Sequence, residues 1–338
     1  MSATTDLAVQ IRHYEAGDES EVLRLLEAAL GEGPVGERSP ELFRWKHLAN
    51  PFGRSLMLVA ELEGRIVGFR SLMRWEFRAG ERAVRAVRPV DTATHPDVQG
   101  RGIFRRLTGE ALRQLHDADL VYNTPNGASL PGYLKMGWHI AGSQPVSVRV
   151  RHPIRFCLRL RGGRNRSPGD KPQVHADPAT GALSDGIGSL LQEAERPEAR
   201  LHTWRSEGYL RWRYEAAPLL DYRVIRKEAG GRLAGLAVFR VRPRGGLWES
   251  TVADVIVRPG DAATARALLR RVVRAADVDH LTTTFPLGAT EWRAARLSGF
   301  VRAPRGMTLA VNPLRDDLQP DPRDLRSWAL RLGDLEVF

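Results

Sequence analysis

The 338-residue chain carries 51 Lys and Arg against 40 Asp and Glu, a formal charge of +11, with 42% hydrophobic and 27% charged residues. These proportions and this length suit two globular domains and exclude general disorder or a fibrous chain. One cysteine, Cys157, excludes an intramolecular disulfide framework and cysteine-rich zinc modules.

Taken in chain order, Val9 and Ile11 read as a strand leading into a helix that starts near Asp18 and sets Val22, Leu25, Leu26 and Ala29 on one face. Strands are predicted over 55–60 and 66–73, with Gly64 in the turn, and over 87–94, ending at His95-Pro96. A helix over 102–117 repeats Ile103, Leu107, Ala111 and Leu115 at four-residue spacing; 120–124 reads as a strand and 129–136 as a short helix. Cys157, among these apolar and basic stretches, is expected to be packed. No apolar run approaches the roughly 18 residues of a membrane helix, and the start lacks a signal-peptide core, so a soluble, cytoplasmic protein is expected.

Seven arginines (Arg149, Arg151, Arg155, Arg159, Arg161, Arg164 and Arg166) fall between Ser143 and Gly169 with no acid among them. The stripe has one aromatic residue, Phe156, so it is poorly supplied for stacking nucleic-acid bases and reads instead as a solvated or docking connector.

The chain also resembles itself. Phe43-Arg44-Trp45-Lys46-His47 lies over Leu210-Arg211-Trp212-Arg213-Tyr214 at an offset of 167, and the same offset brings Gly64-Arg65-Ile66-Val67-Gly68 onto Gly231-Arg232-Leu233-Ala234-Gly235. After a short deletion Asp91 and Pro96 lie over Asp254 and Pro259, and Pro125 to Ser129 over Pro286 to Thr290. Four matches in one order argue for an internal duplication. The copies differ between strand and helix: Gln99-Gly100-Arg101-Gly102-Ile103-Phe104 in the first, Asp261-Ala262-Ala263-Thr264-Ala265-Arg266 in the second. Glycines at such a junction let a backbone approach an anion at the helix N-terminus, with Arg101, Arg105 and Arg106 nearby.

Residues Thr92 to Ile103 resemble motif A of the GNAT N-acetyltransferase superfamily: a strand, then [RQ]-x-x-G-x-[GA], then a helix. Phe104 stands where most members have glycine or alanine. Asn126 to Trp138 is similar to that family's second signature, N-x-x-[AS]-x-x-x-Y-x-x-x-G-[FW], at every position. The tandem organisation resembles Eis-like acetyltransferases without their third domain.

The resemblance implies an α/β (α+β) fold: two GNAT-like domains, each a central mixed, mostly antiparallel sheet flanked by helices. The expected division is 1–150 as an N-terminal domain with the acyl-CoA loop, 151–198 as an arginine-rich connector, 199–313 as a degenerate copy, and 314–338 as a tail carrying a helix over 323–332. It implies acetyl-CoA or another acyl-CoA as donor, touching Thr92, Ala93, Thr94, Gln99, Gly100, Arg101, Gly102, Ile103, Phe104, Arg105, Asn126, Ser129 and Tyr133. Tyr133 matches the general acid for the departing thiolate; Ser129 is also a helix N-cap candidate. Asp91, on the cofactor strand, is a candidate base, although its repeat partner Asp254 favours a structural role. Asp334 and the terminal carboxylate of Phe338 are candidates by analogy with the tail of Eis-like enzymes. No metal is called for, and the expected partner is a small-molecule or peptide amine, attacked directly in a ternary complex. Two other readings stay open from sequence: a non-catalytic acyl-CoA-binding or regulatory protein, and a nucleic-acid-associated transferase using charged tRNA, against which the intact loop argues.

Overall fold

The computed structural model describes residues 9–31, 38–161, 169–183, 185–195 and 199–335. Strand β1 (Gln10–His13) leads to helices α1 (Glu19–Leu30) and α2 (Pro40–His47), then to β2 (Leu56–Leu62), β3 (Arg65–Ala79) and β4 (Arg82–Thr94). Helix α3 (Ile103–Arg113), β5 (Leu120–Asn123), α4 (Leu130–Lys135), β6 (His139–Gln144) and β7 (Ser147–Val150) follow. The link to the second half contains α5 (Pro153–Arg161), β8 (Asp177–Pro178), α6 (Ile187–Ala194), β9 (His202–Thr203) and α7 (Glu207–Leu210). That half repeats the order as β10 (Tyr222–Ala229), β11 (Arg232–Arg244), β12 (Leu247–Val257), α8 (Ala262–Ala275), β13 (His280–Thr283), α9 (Thr290–Leu297), β14 (Val301–Arg302) and β15 (Met307–Pro313), before α10 (Leu332–Leu335).

Two sheets result. The first runs β1-β2-β3-β4-β5-β15-β6, with β9 joining β3; the second runs β14-β7-β13-β12-β11-β10-β8. Their parallel pairs are β4 with β5 and β12 with β13, so both are mixed and mostly antiparallel. The halves exchange their last strands. β7 follows β6 in the chain but pairs with β13 and β14, while β15 follows β14 but lies between β5 and β6. Each sheet would otherwise have an unpaired slot beside its fifth strand, and the exchange fills both slots while tying the halves together. The first sheet thus draws on 307–313 and the second on 147–150, across the divisions drawn from sequence. Part of the expected connector also belongs to the second half, where β8 pairs with β10 and Ile187 and Leu190 of α6 are buried.

The matched tryptophans of the repeat meet at the centre. Trp45 and Trp212 stack with ring centroids 4.9 Å apart. The Trp45 Nε1–H donates to the Trp212 carbonyl at 2.7 Å, and the Trp212 Nε1–H returns the bond to the Trp45 carbonyl at 3.0 Å. This reciprocity is what a local two-fold relation between copies requires. Around the pair, Trp75, Phe77 and Tyr122 of the first half pack with Tyr209, Tyr214 and Tyr222 of the second in one shared core.

Gly68 and Gly235, also matched, mark where each long helix lies closest to its sheet. A Cβ on Gly68 would stand 2.8 Å from Ile103 Cγ2 and 2.9 Å from Leu107 Cδ1 of α3; one on Gly235 would stand 2.9 Å from Thr264 Cγ2 of α8. Gly68→Val is therefore expected to force α3 off β3 and to destabilise the protein by about 2 kcal/mol, read as a lowered Tm. An unchanged Tm would show that α3 has room to move.

The tail departs from the helix expected over 323–332. A single 3-10 turn covers Leu325–Ser327, and Trp328 is extended (φ −115°, ψ 136°), bridging to Leu201. Tertiary contacts override the helical spacing: Trp328 is buried edge-on to Phe77 at 5.1 Å, and its Nε1–H donates to the Pro322 carbonyl. Three stripe arginines dock on the second half. Arg149 bonds the Ser298 carbonyl, Arg151 the carbonyls of Val273 and Ala276 near the end of α8, and Arg155 the Asp279 carboxylate. The side chains of the other four lie outside the described residues. Cys157 is exposed on α5, not packed; its neighbour Phe156 makes the contact with the second half, edge-on to His280 at 5.2 Å.

Candidate active site

Between β4 and α3 the chain makes a 3-10 turn (Pro96–Val98) capped by His95, whose Nδ1 accepts the Asp97 N–H at 3.4 Å. Gly100 and Gly102 then take left-handed backbone, each with φ +78°. Gly102 is the N-cap of α3 and supplies no capping side chain. A Cβ on either glycine would meet nothing within 4 Å. Gln99, Gly100, Arg101, Gly102 and Arg105 are exposed, whereas Ile103 is buried beneath them. The first-turn N–H groups, which no helix can satisfy internally, therefore open onto a cationic surface suited to an anion. In the second half Asp261 caps α8, its carboxylate accepting the Thr264 N–H at 2.9 Å. A built-in anion stands there where the first half leaves the helix end open.

Strands β4 and β5 pair only at Ala86–Leu120 and Val87–Val121 and then part. Arg88 lies across the opening: Nη2 donates to Thr124 Oγ1 and to the Leu335 carbonyl, each at 2.7 Å, and Nη1 to the Asp334 carbonyl at 3.0 Å. Farther along, β4 bulges at Asp91 (φ +46°), and the ladder to β3 skips from Phe69–Ala93 to Ser71–Val90. The bulge sends Asp91 toward α2 and Thr92 toward α3 and α4. Thr92 Oγ1 there accepts a bond from Arg70 Nη1 at 3.0 Å. The same Nη1 donates to the Tyr133 hydroxyl at 3.1 Å. The buried Tyr133 ring is held between Trp138, 4.4 Å away, and Phe104, edge-on at 5.6 Å. Phe104 thus braces the tyrosine, and Gly132 leaves room for it, since a Cβ there would come within 3.3 Å of the Phe104 ring. Ala93 is buried toward α1, and the Thr94 carbonyl accepts from Gln99 Nε2 at 3.1 Å.

Asn126, not Ser129, organises the turn into α4. Asn126 Oδ1 accepts the N–H groups of Ala128 and Ser129 at 3.1 and 2.9 Å, while the Ser129 hydroxyl donates to Asn126 and makes no cap bond to the helix. The first-turn N–H groups a Ser129 side chain would cap are already taken, that of Leu130 by the Asn126 carbonyl and those of Gly132 and Tyr133 by the Ser129 carbonyl, and Pro131 has none.

The candidate acids are committed elsewhere. Asp91 accepts from Lys46 Nζ at 2.6 Å and from His47 Nε2 at 3.0 Å, with Arg38 at 3.6 Å. Burial works to raise its pKa, but the Lys46 charge and the His47 hydrogen bond outweigh it and hold the carboxyl well below the usual range. Burial depresses the His47 pKa, so a neutral ring donates from Nε2 and accepts the Ser55 hydroxyl at Nδ1. The second half rebuilds this arrangement: the Tyr214 hydroxyl, at the His47 position, donates to Asp254 at 2.7 Å, joined by Arg205 and Arg331. The buried Asp334 carboxylate accepts from Arg205 Nη2 at 2.8 Å and the Arg331 N–H at 2.7 Å. Its side chain serves that second-half ion cluster, and only its carbonyl reaches Arg88 in the first half. Phe338 lies outside the described residues.

In the second half, Ile256, Val257, Pro286 and Ala289, with Ala329 and Arg331 of the tail, line a cavity of about 310 Å³. Arg331 crosses it, bonding Glu291 and Asp254. Among the described residues no helix is long and apolar enough to cross a membrane, and no group of three His, Cys, Asp or Glu side chains is placed to hold a metal ion.

Sequence reasoning missed Arg70 and Arg88. The available signal was an arginine at an inward position of a strand whose neighbours, Phe69 and Leu72 or Val87 and Val90, are apolar.

Comparison with known proteins follows this geometry. The family model described as an acetyltransferase (GNAT) domain matches residues 10–141. Similar solved structures include a GCN5-related N-acetyltransferase from Anabaena variabilis (11% identity, TM-score 0.63, 91% of this chain and 73% of that one). Another from Kribbella flavida has 16% identity and a TM-score of 0.61 over 93% and 73% of the two chains. Eis1 from Mycobacterium abscessus has 17% identity and a TM-score of 0.54 over 90% and 73%. At these identities the likeness is one of fold. No curated protein matches the sequence.

Proposed function

We propose, from the match of residues 10–141 to an acetyltransferase (GNAT) domain, that the protein transfers an acyl group from acetyl-CoA, or another acyl-CoA, to an amine at a single site in its first half. The observation that carries this reading is the contrast between the two helix ends: α3 is uncapped and open at Gly100 and Gly102, whereas α8 is closed by Asp261.

The donor's pyrophosphate fits the backbone N–H groups from Gln99 to Arg105, with Arg101 and Arg105 adding charge. Thr92, Ala93 and Thr94 lie along the strand beside the acyl arm, and Asn126 and Ser129 border it from the α4 turn. A backbone N–H of β4 polarises the thioester carbonyl, and Tyr133 gives its proton to the departing sulfur. The acceptor, a small-molecule or peptide amine, attacks the carbonyl directly, and its proton leaves through water, because Asp91 and Asp334 are already engaged. The second half contributes structure: its cleft is crossed by Arg331, and Tyr133 falls on the Ala294-Ala295 pair of the repeat.

Calorimetric titration with acetyl-CoA, followed by release of free CoA with a panel of amines, tests this. One donor per chain and CoA release with at least one amine class are expected. Absence of donor binding, or two donors per chain, would overturn it. Asp91→Asn separates a structural from a catalytic aspartate. With Lys46 deprived of its carboxylate, stability is expected to fall by about 3 kcal/mol while the folded protein keeps its turnover. A large loss of kcat at unchanged Tm would make Asp91 the base.

A further inference from the structure

We infer that Arg70 is a positioning residue for Tyr133, holding the phenol by its oxygen, turning its proton toward the departing sulfur and stabilising the phenolate left behind. This rests on the reading of Tyr133 as the general acid. Arg70 is fully buried on the face of β3 that looks toward α3 and α4. Arginine has no lone pair to accept with, so in the Arg70–Tyr133 bond the phenol oxygen accepts and its proton must point elsewhere. The guanidinium carbon stands 5.4 Å from the Phe104 centroid and 5.5 Å from that of Tyr133.

Among the described residues Nε and Nη2 have no hydrogen-bond partner, and no acid lies within ion-pair distance. The buried Arg205, by contrast, is matched by Asp254 and Asp334. An unmatched buried cation opposes folding, and its field falls undiminished on the nearest atom able to become negative, the Tyr133 oxygen. The repeat supplies an independent observation. At the offset of 167, Arg70 falls on Ala237; at the offset of 161 to 162 that brings Pro125 onto Pro286 and Gly137 onto Gly299, Tyr133 falls on Ala294-Ala295. Both partners are absent together from the half whose helix end is closed, and Ala237, Ala294 and Ala295 are buried in an apolar core there.

The step balances. The amine nitrogen bonds the acyl carbon as the carbon–sulfur bond breaks. The electron pair leaves on sulfur, which takes the Tyr133 proton, and the phenolate beside Arg70 regains a proton from the one shed by the nitrogen through water.

The test compares Arg70→Met, Arg70→Lys, Tyr133→Phe and the Arg70→Met/Tyr133→Phe double variant by kcat, calorimetric affinity for acetyl-CoA, and Tm. Arg70→Met is expected to lower kcat about 10- to 100-fold, with affinity within about twofold and Tm equal to or above that of the parent. Arg70→Lys, which keeps the charge, recovers part of the rate. In the Tyr133→Phe background Arg70→Met changes kcat no further. If its loss instead multiplies with that of Tyr133→Phe, or if Arg70→Met lowers Tm while kcat per folded molecule holds, the positioning role falls and the acid stands. If Tyr133→Phe alone turns over like the parent, both fall.

Discussion

Tyr133→Phe is expected to lower kcat by about 10²- to 10⁴-fold while leaving the affinity for acetyl-CoA close to that of the parent. The ring keeps its contacts with Trp138 and Phe104, so only one oxygen is removed. A coenzyme A thiolate departs more readily than an amine, but its departure beside the buried Tyr133 still leaves a developing charge on sulfur. A positioned proton matters most there. The variant also leaves Arg70 Nη1 with Thr92 as its one hydrogen-bond partner, a loss of about 1–2 kcal/mol that should appear as a modest drop in Tm. Steady-state release of CoA thiol, measured well below that Tm, separates the two effects. A kcat within about threefold of the parent would remove Tyr133 from the chemistry and leave it a packing residue.

What was legible in advance was whatever is written locally. The helix carrying Ile103, Leu107 and Ala111 declares itself by spacing, and the glycines before it by the left-handed backbone that only they adopt cheaply. The duplication was legible because both copies keep the residues that meet at their junction. Trp45 and Trp212 must match to stack, and Gly68 and Gly235 must both lack a side chain for their helices to sit down.

Pairings between distant segments were not legible. β7 and β15 have the composition of any short strand, and nothing within four or seven residues says which sheet takes them. Trp328 has helical neighbours but earns its burial by lying extended against Phe77 and Leu201, so the tertiary contact overrides the local period. Asp91 was visible as an acid on the right strand. Its role depends on a bulge and on Lys46 and His47 of another element, which no single strand pattern encodes. Arg70 is the sharpest case. Its partner Tyr133 stands 63 positions away, so their bond is visible only once β3 and α4 are stacked.

Gly102→Val is expected to weaken acetyl-CoA binding by about 100-fold, near 2.8 kcal/mol. The cause is backbone conformation, because a Cβ at Gly102 would meet nothing within 4 Å. At φ +78° and ψ 1° a β-branched residue is strained by about 1–2 kcal/mol. The chain relieves this by rotating the peptide that leads into α3. That rotation swings the Ile103 and Phe104 N–H groups off the anion they would bond, and hydrogen bonds to a charged acceptor contribute about 1.5–3 kcal/mol each. Asparagine visits the left-handed region readily, so Gly102→Asn should retain affinity within about tenfold. If calorimetry finds valine and asparagine equally damaging, the space above Gly102 belongs to the ligand itself. If neither matters, the open end of α3 does not hold the donor. The second half supplies the matching control: Asp261→Ala removes the carboxylate that closes α8. It should create no second donor site, because Ala262 and Thr264 stand there in place of the two glycines and Arg331 still crosses the cleft beyond.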